Sequence, residues 1–328
     1  MTAALLLAVF AAFAALMFLR MLPALLALPA MAAAIAIVVG EPHQQWLSTV
    51  MADGAIRLAP AYVAVCAGAM LGRVMMTTGI AEDVIRRAAE FGGDRPMIVA
   101  GALMAVTAVL FTSLTGLGAI IMVGSLVLPI MISLGIPRRL TAILFLLAFA
   151  TWFIFNIALW RLYRELLQIA PDASLPREIA WFATALASIM AIVVIGYATW
   201  AARRAPELRL WSAPAPTGRK PSVPWPAYVT PFVPLVLYVA FGWREVPAFI
   251  AGALYAVLVT RPRGIVQTLL SSVIRGVEDA APAAILLVGI GMLLNALTLP
   301  AVRTALAPVV AQLPVQSVAG YVLFFTLL

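Results

Sequence analysis

Cysteine and histidine are almost missing from this sequence: 328 residues hold one of each, and only 10% of the chain is charged. A single cysteine rules out an intrachain disulfide, and Cys66, inside an apolar run, reads as a small packed residue rather than a ligand or nucleophile. His43 stands alone in the polar loop "EPHQQ", and one histidine with one cysteine cannot build a zinc or haem site. No cofactor is expected. The scarcity of charge also excludes a water-soluble domain of this length, which would need far more polar surface.

What the chain has instead is apolar length. Hydrophobic residues make up 65% of it, and the mean hydropathy is +1.09. Runs long enough to approach or cross a bilayer, roughly 17 to 25 residues, recur near 3–19, 22–40, 55–77, 96–112, 118–135, 140–160, 179–201, 227–242, 246–260, 279–299 and 315–328. The pattern predicts an all-α polytopic membrane protein whose main partner is the lipid bilayer. The N-terminal run lacks a basic leader and is followed by many others, so it reads as a first transmembrane helix rather than a cleaved signal. Between residues 77 and 96, Ile80, Val84, Ile85, Ala88 and Phe91 share one helical face with charges opposite, which predicts a short helix along the membrane interface.

The net charge of +8 does not point to nucleic acid, because the basic residues sit in short loops and no basic stripe with interleaved aromatics exists. Alternating sides from the N-terminus, fourteen Lys and Arg collect on one side and six on the other, with Arg73 too deep to assign. The positive-inside rule places the first side in the cytoplasm and the N-terminus in the periplasm of a multi-pass inner-membrane protein. The long polar loop 203–226, rich in proline and charge, reads as a cytoplasmic linker.

The linker separates two similar parts. Gln45, Leu47, Gly54, Pro60 and Leu71 match Gln267, Leu269, Gly276, Pro282 and Leu293 at a constant offset of 222. The expected orientations are opposite, so the reading is an inverted-repeat transporter fold. Residues 1–202 form the first repeat, with a re-entrant helical hairpin at 96–135 and linking helices. Residues 227–328 form the second. The chain stops five residues short of the position equivalent to Phe111, so the second repeat is expected to be truncated, by a shortened reading frame or a fragment.

The hairpin carries the chemistry. "FTSLTGLGAIIMVGS" (111–125) puts Thr112, Ser113, Thr115, Gly116 and Gly118 together inside the stretch 96–137, which is otherwise nearly all apolar. Breaking a membrane helix frees N–H and C=O groups at several kcal/mol each unless something binds them. Such a break is acceptable where it lines a polar cavity. Gly116 and Gly118 permit a tight turn. The following helix start can face an anion, and hydroxyls with terminal carbonyls can hold Na⁺. Asn156, within an apolar span, is a further candidate, though such an amide can equally join two helices. Thr151 is weaker. Arg73 and Asn295 occupy equivalent repeat positions; either could line the cavity, but both read first as interface anchors. Glu278 and Asp279, just before Pro282, could relay protons, but read first as solvated residues starting a helix. With no central acidic residue in any span, direct cation/proton exchange is disfavoured. The small-residue runs "AGAMLG" (67–72) and "GIG" (289–291) read as close helix packing.

The stretches "GAIRLAPAYVAVCAGAMLGRVMMTTGIAEDVIRRAAEFGGDRPMIV" and "FTSLTGLGAIIMVGSLVLPIMISLGIP" resemble the first half of the ion transporter superfamily. That superfamily includes citrate–metal–proton symporters, gluconate permeases and the large membrane subunits of TRAP carboxylate transporters. The likeness covers roughly residues 1–160, and 264–328 through the repeat. Citrate symporters are nearest: their hairpin reads like "SLDGDGA" where this chain has "SLTGLGA" at 113–119, and an Asn precedes a Trp as Asn156 precedes Trp160. The resemblance implies two opposed hairpins carrying a small organic anion with H⁺ or Na⁺, often in a homodimer. Thr115 and Leu117 replace both hairpin carboxylates, which counts against a metal–citrate complex. "LWRLY" replaces a Pro-Trp-Gly-Gly-Pro break, so no second helix break is announced. The expected function is secondary transport of a carboxylate such as citrate, gluconate or a C4-dicarboxylate. The alternative is a TRAP-type large subunit served by a periplasmic binding protein. An enzyme is not expected, since no nucleophile–base pair or metal set lies in the spans.

Overall fold

The computed structural model describes residues 2–91, 96–133, 136–153, 155–167 and 223–312, with isolated positions between 185 and 196. Most of the linker expected at 203–226, the expected span at 315–328 and the side chain of Thr151 lie outside the described residues. Among the described residues the secondary structure is helical, with no strand. Two helical stretches, His43–Thr77 and Ile265–Thr298, are long and apolar enough to cross a membrane.

The helices are α1 (Thr2–Phe18), α2 (Ala24–Val39), α3 (His43–Trp46), a π-helical stretch Leu47–Ala52, α4 (Asp53–Arg57), α5 (Ala59–Thr77), α6 (Ile80–Phe91), α7 (Pro96–Leu110), α8 (Leu117–Ser133), α9 (Arg138–Phe153) and α10 (Ile157–Leu167). After the linker come a 3₁₀ helix (Trp225–Phe232), α11 (Val233–Phe241), α12 (Glu245–Thr260), α13 (Ile265–Thr298) and α14 (Pro300–Gln312). The linker assigned to 203–226 gives way to helix at Trp225. Pro226 and Pro231, which have no N–H to donate, suit the 3₁₀ turn.

Two sequence expectations are corrected here. The span placed at 279–299 is part of α13, which begins at Ile265 and passes unbroken through Pro282. Proline is tolerated inside such helices because neighbours re-satisfy the freed backbone groups. Glu278 and Asp279 therefore lie in a helix interior, not at a solvated start. The span 140–160 is interrupted: α9 ends at Phe153 and α10 starts at Ile157.

The chain divides into two compact units, Met1–Ala59 with Ala284–Leu328, and Pro60–Ala283. In the first, Leu6, Met31, Ile35, Val50, Ala296, Leu299 and Val302 form a buried core. In the second, α5 to α12 enclose a larger core that includes Leu71, Met75, Leu103, Phe111, Leu114, Phe145 and Phe249.

The element order recurs. α1, α2, the stretch His43–Thr77 and α6 are followed, at an offset of 222 within two positions, by Trp225–Phe241, α12, α13 and α14. The buried face of α2 (Ala27, Met31, Ile35) matches that of α12 (Phe249, Ala253, Val257). Contacts recur as well, with partners exchanged. In the first unit a Cβ on Gly54 would stand 2.7 Å from Met292 Cα; in the second a Cβ on Gly276 would stand 2.7 Å from Met70 Cα. Gly54 and Gly276 are equivalent in the register, and so are Met70 and Met292. Both glycines admit a neighbouring backbone where no side chain fits.

Helix α6 forms as its periodicity predicts, burying Ile80, Ile85 and Ala88. Phe91, expected on that face, ends the helix and is 82% exposed. Asp83, expected on the charged face, is buried. It accepts hydrogen bonds from Tyr228 Oη, Arg86 Nη2 and, at 3.3 Å, Arg87 Nε. Burial pushes its carboxyl pKa up, but the hydrogen bonds from Tyr228, Arg86 and Arg87 and the Arg86 charge outweigh this and hold it below the ordinary value.

Two outcomes follow from these contacts. Gly54→Ala and Gly276→Ala should each destabilise the protein by about 1–3 kcal/mol, read as matching drops in the thermal melting midpoint in detergent. Because Asp83 titrates lower in the folded than in the unfolded protein, its stabilisation is full above the unfolded value of about 3.9 and fades as pH falls through the folded value. Asp83→Asn should thus melt earlier than wild type at neutral pH, with the gap closing below about pH 4.

Candidate functional site

Helix α7 stops at Leu110 and α8 starts at Leu117, leaving a six-residue break between two apolar arms. Only Gly can hold the φ of +90° found at Gly116 without strain. Phe111, Thr112, Ser113, Leu114 and Thr115 are all buried, so the freed backbone needs partners inside the protein. Phe111 seals one side by edge-on contacts with Phe145 and Phe149 of α9.

The hydroxyls act as struts. Ser113 Oγ donates to the Pro231 carbonyl in the 3₁₀ helix, and Thr115 Oγ1 donates to Val65 O of α5 at 2.9 Å. Thr112 Oγ1 donates back to Val109 O at 2.8 Å, closing the end of α7. A Cβ on Gly68 would stand 2.5 Å from Thr115 Oγ1, so the small-residue run of α5 makes room for this tip. In this arrangement the hydroxyl protons are committed to backbone carbonyls. The oxygen lone pairs are what a cation would meet.

Asn156 joins two breaks. It lies between α9 and α10, is fully buried, and its Nδ2 donates to Phe111 O and Leu114 O, each at 3.2 Å. Its Oδ1 accepts the Ala158 N–H at 3.0 Å, capping the start of α10. One side chain therefore serves both the hairpin tip and the interruption of the next helix. The structure brings Thr112, Ser113, Thr115, Gly116 and Asn156 together at this junction. The break before Asn156 has no proline or glycine signal, which is why sequence reading missed it; the only trace is an amide where an apolar residue belongs.

Gly118 plays a different part from the turn expected of it. It lies inside α8, and the Asp279 carboxylate stands where a Gly118 side chain would be. Asp279 is held by Arg73 of α5, whose Nη2 donates to Oδ1 at 2.6 Å and whose Nε donates to Oδ2. This is the paired fork geometry of a strong Arg–carboxylate contact. The pair borders a cavity of 450 Å³ lined by Arg73, Gly118, Met122, Ser125, Glu278 and Asp279 among others. Sequence reading treated Arg73 and Asp279 as unrelated. They are 206 positions apart, and only the packing of α5 beside α13 reveals the pair.

The register supplies a counterpart in the first unit. Arg57 is equivalent to Asp279 and Asn295 to Arg73, and Arg57 Nη1 donates to Asn295 Oδ1 at 2.6 Å. Asn295 Nδ2 donates to Thr49 O at 2.8 Å. Among the described residues no group of three or more His, Cys, Asp or Glu could hold a metal ion.

Asn156→Ala would strand two buried tip carbonyls and the Ala158 N–H. At about 1–3 kcal/mol for each unsatisfied group, it should lower stability by several times that of Thr112→Ala, whose hydroxyl serves its own helix end. Melting of the two variants in the same detergent checks the order.

Comparison with family models, with curated proteins and with solved structures gives no match for this chain.

Proposed function

We propose that this chain is a multi-pass inner-membrane secondary transporter of a small organic anion, built as an inverted repeat and driven by Na⁺ or H⁺. The observation that carries the reading is the junction of two interrupted helices: the buried break at 111–116 and the break before Asn156, joined by that one side chain. Breaks inside apolar helices are tolerated only where the freed backbone is buried in protein or lines a water-filled cavity, and secondary transporters place such breaks at their binding sites. The cavity beside the start of α8, bordered by Arg73, Ser125, Glu278 and Asp279 among others, supports it.

The inverted repeat draws support from the exchanged contacts. Gly54 with Met292 and Gly276 with Met70, then Arg57 with Asn295 and Arg73 with Asp279, are each one contact with the two copies swapped. A two-fold relation between copies produces such swaps, as it does at an isologous interface. The substrate class, a carboxylate such as citrate, gluconate or a C4-dicarboxylate, follows from the superfamily resemblance and from an Arg fork at the cavity. Transport proceeds by alternating access of the repeats around the hairpin.

The test is uptake into sealed vesicles of radiolabelled citrate, gluconate, succinate and lactate under imposed Na⁺ or proton gradients. One substrate should accumulate, and Ser113→Ala/Thr115→Ala should cut the rate about tenfold or more, the loss of two hydrogen bonds. Absence of uptake by the inserted wild-type protein overturns independent transport. Uptake that appears only on adding an extracytoplasmic binding protein assigns the chain to the TRAP-type role.

A further inference from the structure

The pair Arg73–Asp279 asks for more than scaffolding. At the register-equivalent place in the first unit, Arg57 and Asn295 make a comparable strut with no carboxylate at all. An ion pair there is expensive to desolvate, and a hydrogen bond would serve as well. Yet Asp279 is the acid that the chain places against Gly118, in the first turn of α8, with its oxygens on the Arg73 fork and its flank on a 450 Å³ cavity. That volume falls within the range of small-molecule sites, about 300–1,000 Å³. The side chains of Arg73 and Asp279 retain 24% and 16% exposure, so the pair can be reached from the cavity.

We propose that Arg73 is the receptor for the substrate's carboxylate and that Asp279 is its internal placeholder, displaced and protonated when substrate arrives. This rests on the transport reading above and adds to it the recognising residue and the coupling ion. One guanidinium fork takes one carboxylate in bidentate fashion. An incoming carboxylate that claims it leaves Asp279 beside a second anion and beside Glu278, in a half-buried cleft. α5 offers only Arg73 to this cavity, and α8 offers Gly118, Ile121, Met122 and Ser125, none of which titrates. Among the described residues no other cation lines the cavity to neutralise the displaced acid, so it takes a proton: Asp279–COO⁻ and H⁺ become Asp279–COOH, while Arg73⁺ pairs with the substrate carboxylate. No covalent bond to carbon changes. Each carboxylate bound brings in one proton, and release on the far side returns both as Asp279 reclaims Arg73. The helix start at α8 favours whichever anion is present.

The experiment uses the full chain, purified and reconstituted, with citrate, gluconate, succinate and lactate as probes. In weakly buffered solution with a pH indicator, the wild-type protein should take up one proton for each carboxylate that binds. Asp279→Asn should bind more tightly, with an affinity that no longer depends on pH. It should still exchange labelled for unlabelled substrate, yet fail to accumulate it from a proton gradient. Arg73→Ala should weaken binding roughly 10- to 100-fold, the loss of a charge-assisted pair. Binding by the wild type without proton uptake overturns the proposal and leaves the transport reading standing. So does proton-driven accumulation by Asp279→Asn. If the wild type neither binds nor carries any of the four, the transport reading falls and this one with it. The proton-uptake measurement needs no variant, so a variant that fails to fold leaves the test intact.

Discussion

A backbone that leaves the helix inside an apolar core must find every hydrogen bond within the protein, and the second unit is arranged around that demand. The break at 111–116 would strand several carbonyls and N–H groups. Asn156 takes two of the carbonyls, while Ser113 and Thr115 tie the tip to the 3₁₀ helix and to α5. Each strut requires a neighbour to be positioned: α9 must stop at Phe153 so that Asn156 can face the tip, and α5 must carry Gly68 so that Thr115 can approach. The polar residues thus have one immediate duty, holding a discontinuity open.

Close approach is the second constraint. Gly54 and Gly276 let backbones meet where a methyl group would collide, and the same contact occurs with the copies exchanged. Between helices in an apolar surrounding there is little hydrophobic gain from association, so small residues and well-formed polar contacts do most of the joining. The small runs at 67–72 and 289–291 fit that role. The ion pair Arg73–Asp279 uses the same device, since Gly118 leaves the space that the carboxylate occupies.

Much of the architecture was legible early. Hydropathy located the helices, the amphipathic period located α6, and the 222-residue register matched elements over most of its length. The errors fell where one residue carried two meanings. Pro282 marked a helix start in the sequence, but α13 runs through it, which moved Glu278 and Asp279 from an assumed solvated end to a helix interior. Asp83 belonged by period to a charged face, but two Arg residues and Tyr228 hold it inside. Gly118 looked like half of a turn, and instead it vacates space for a distant carboxylate.

By itself the sequence determined that the chain is helical and apolar, that it holds a polar break near 111–118, and that its first ninety residues have a counterpart after the linker. These are properties of local composition and spacing, which period and hydropathy report directly. Only the tertiary structure decided which partners the polar groups take: Asn156 with the tip carbonyls, Ser113 with Pro231, Arg73 with Asp279. The physical reason is that a hydrogen bond depends on two groups meeting at about 3 Å. Residues dozens or hundreds of positions apart come that close only when their helices pack.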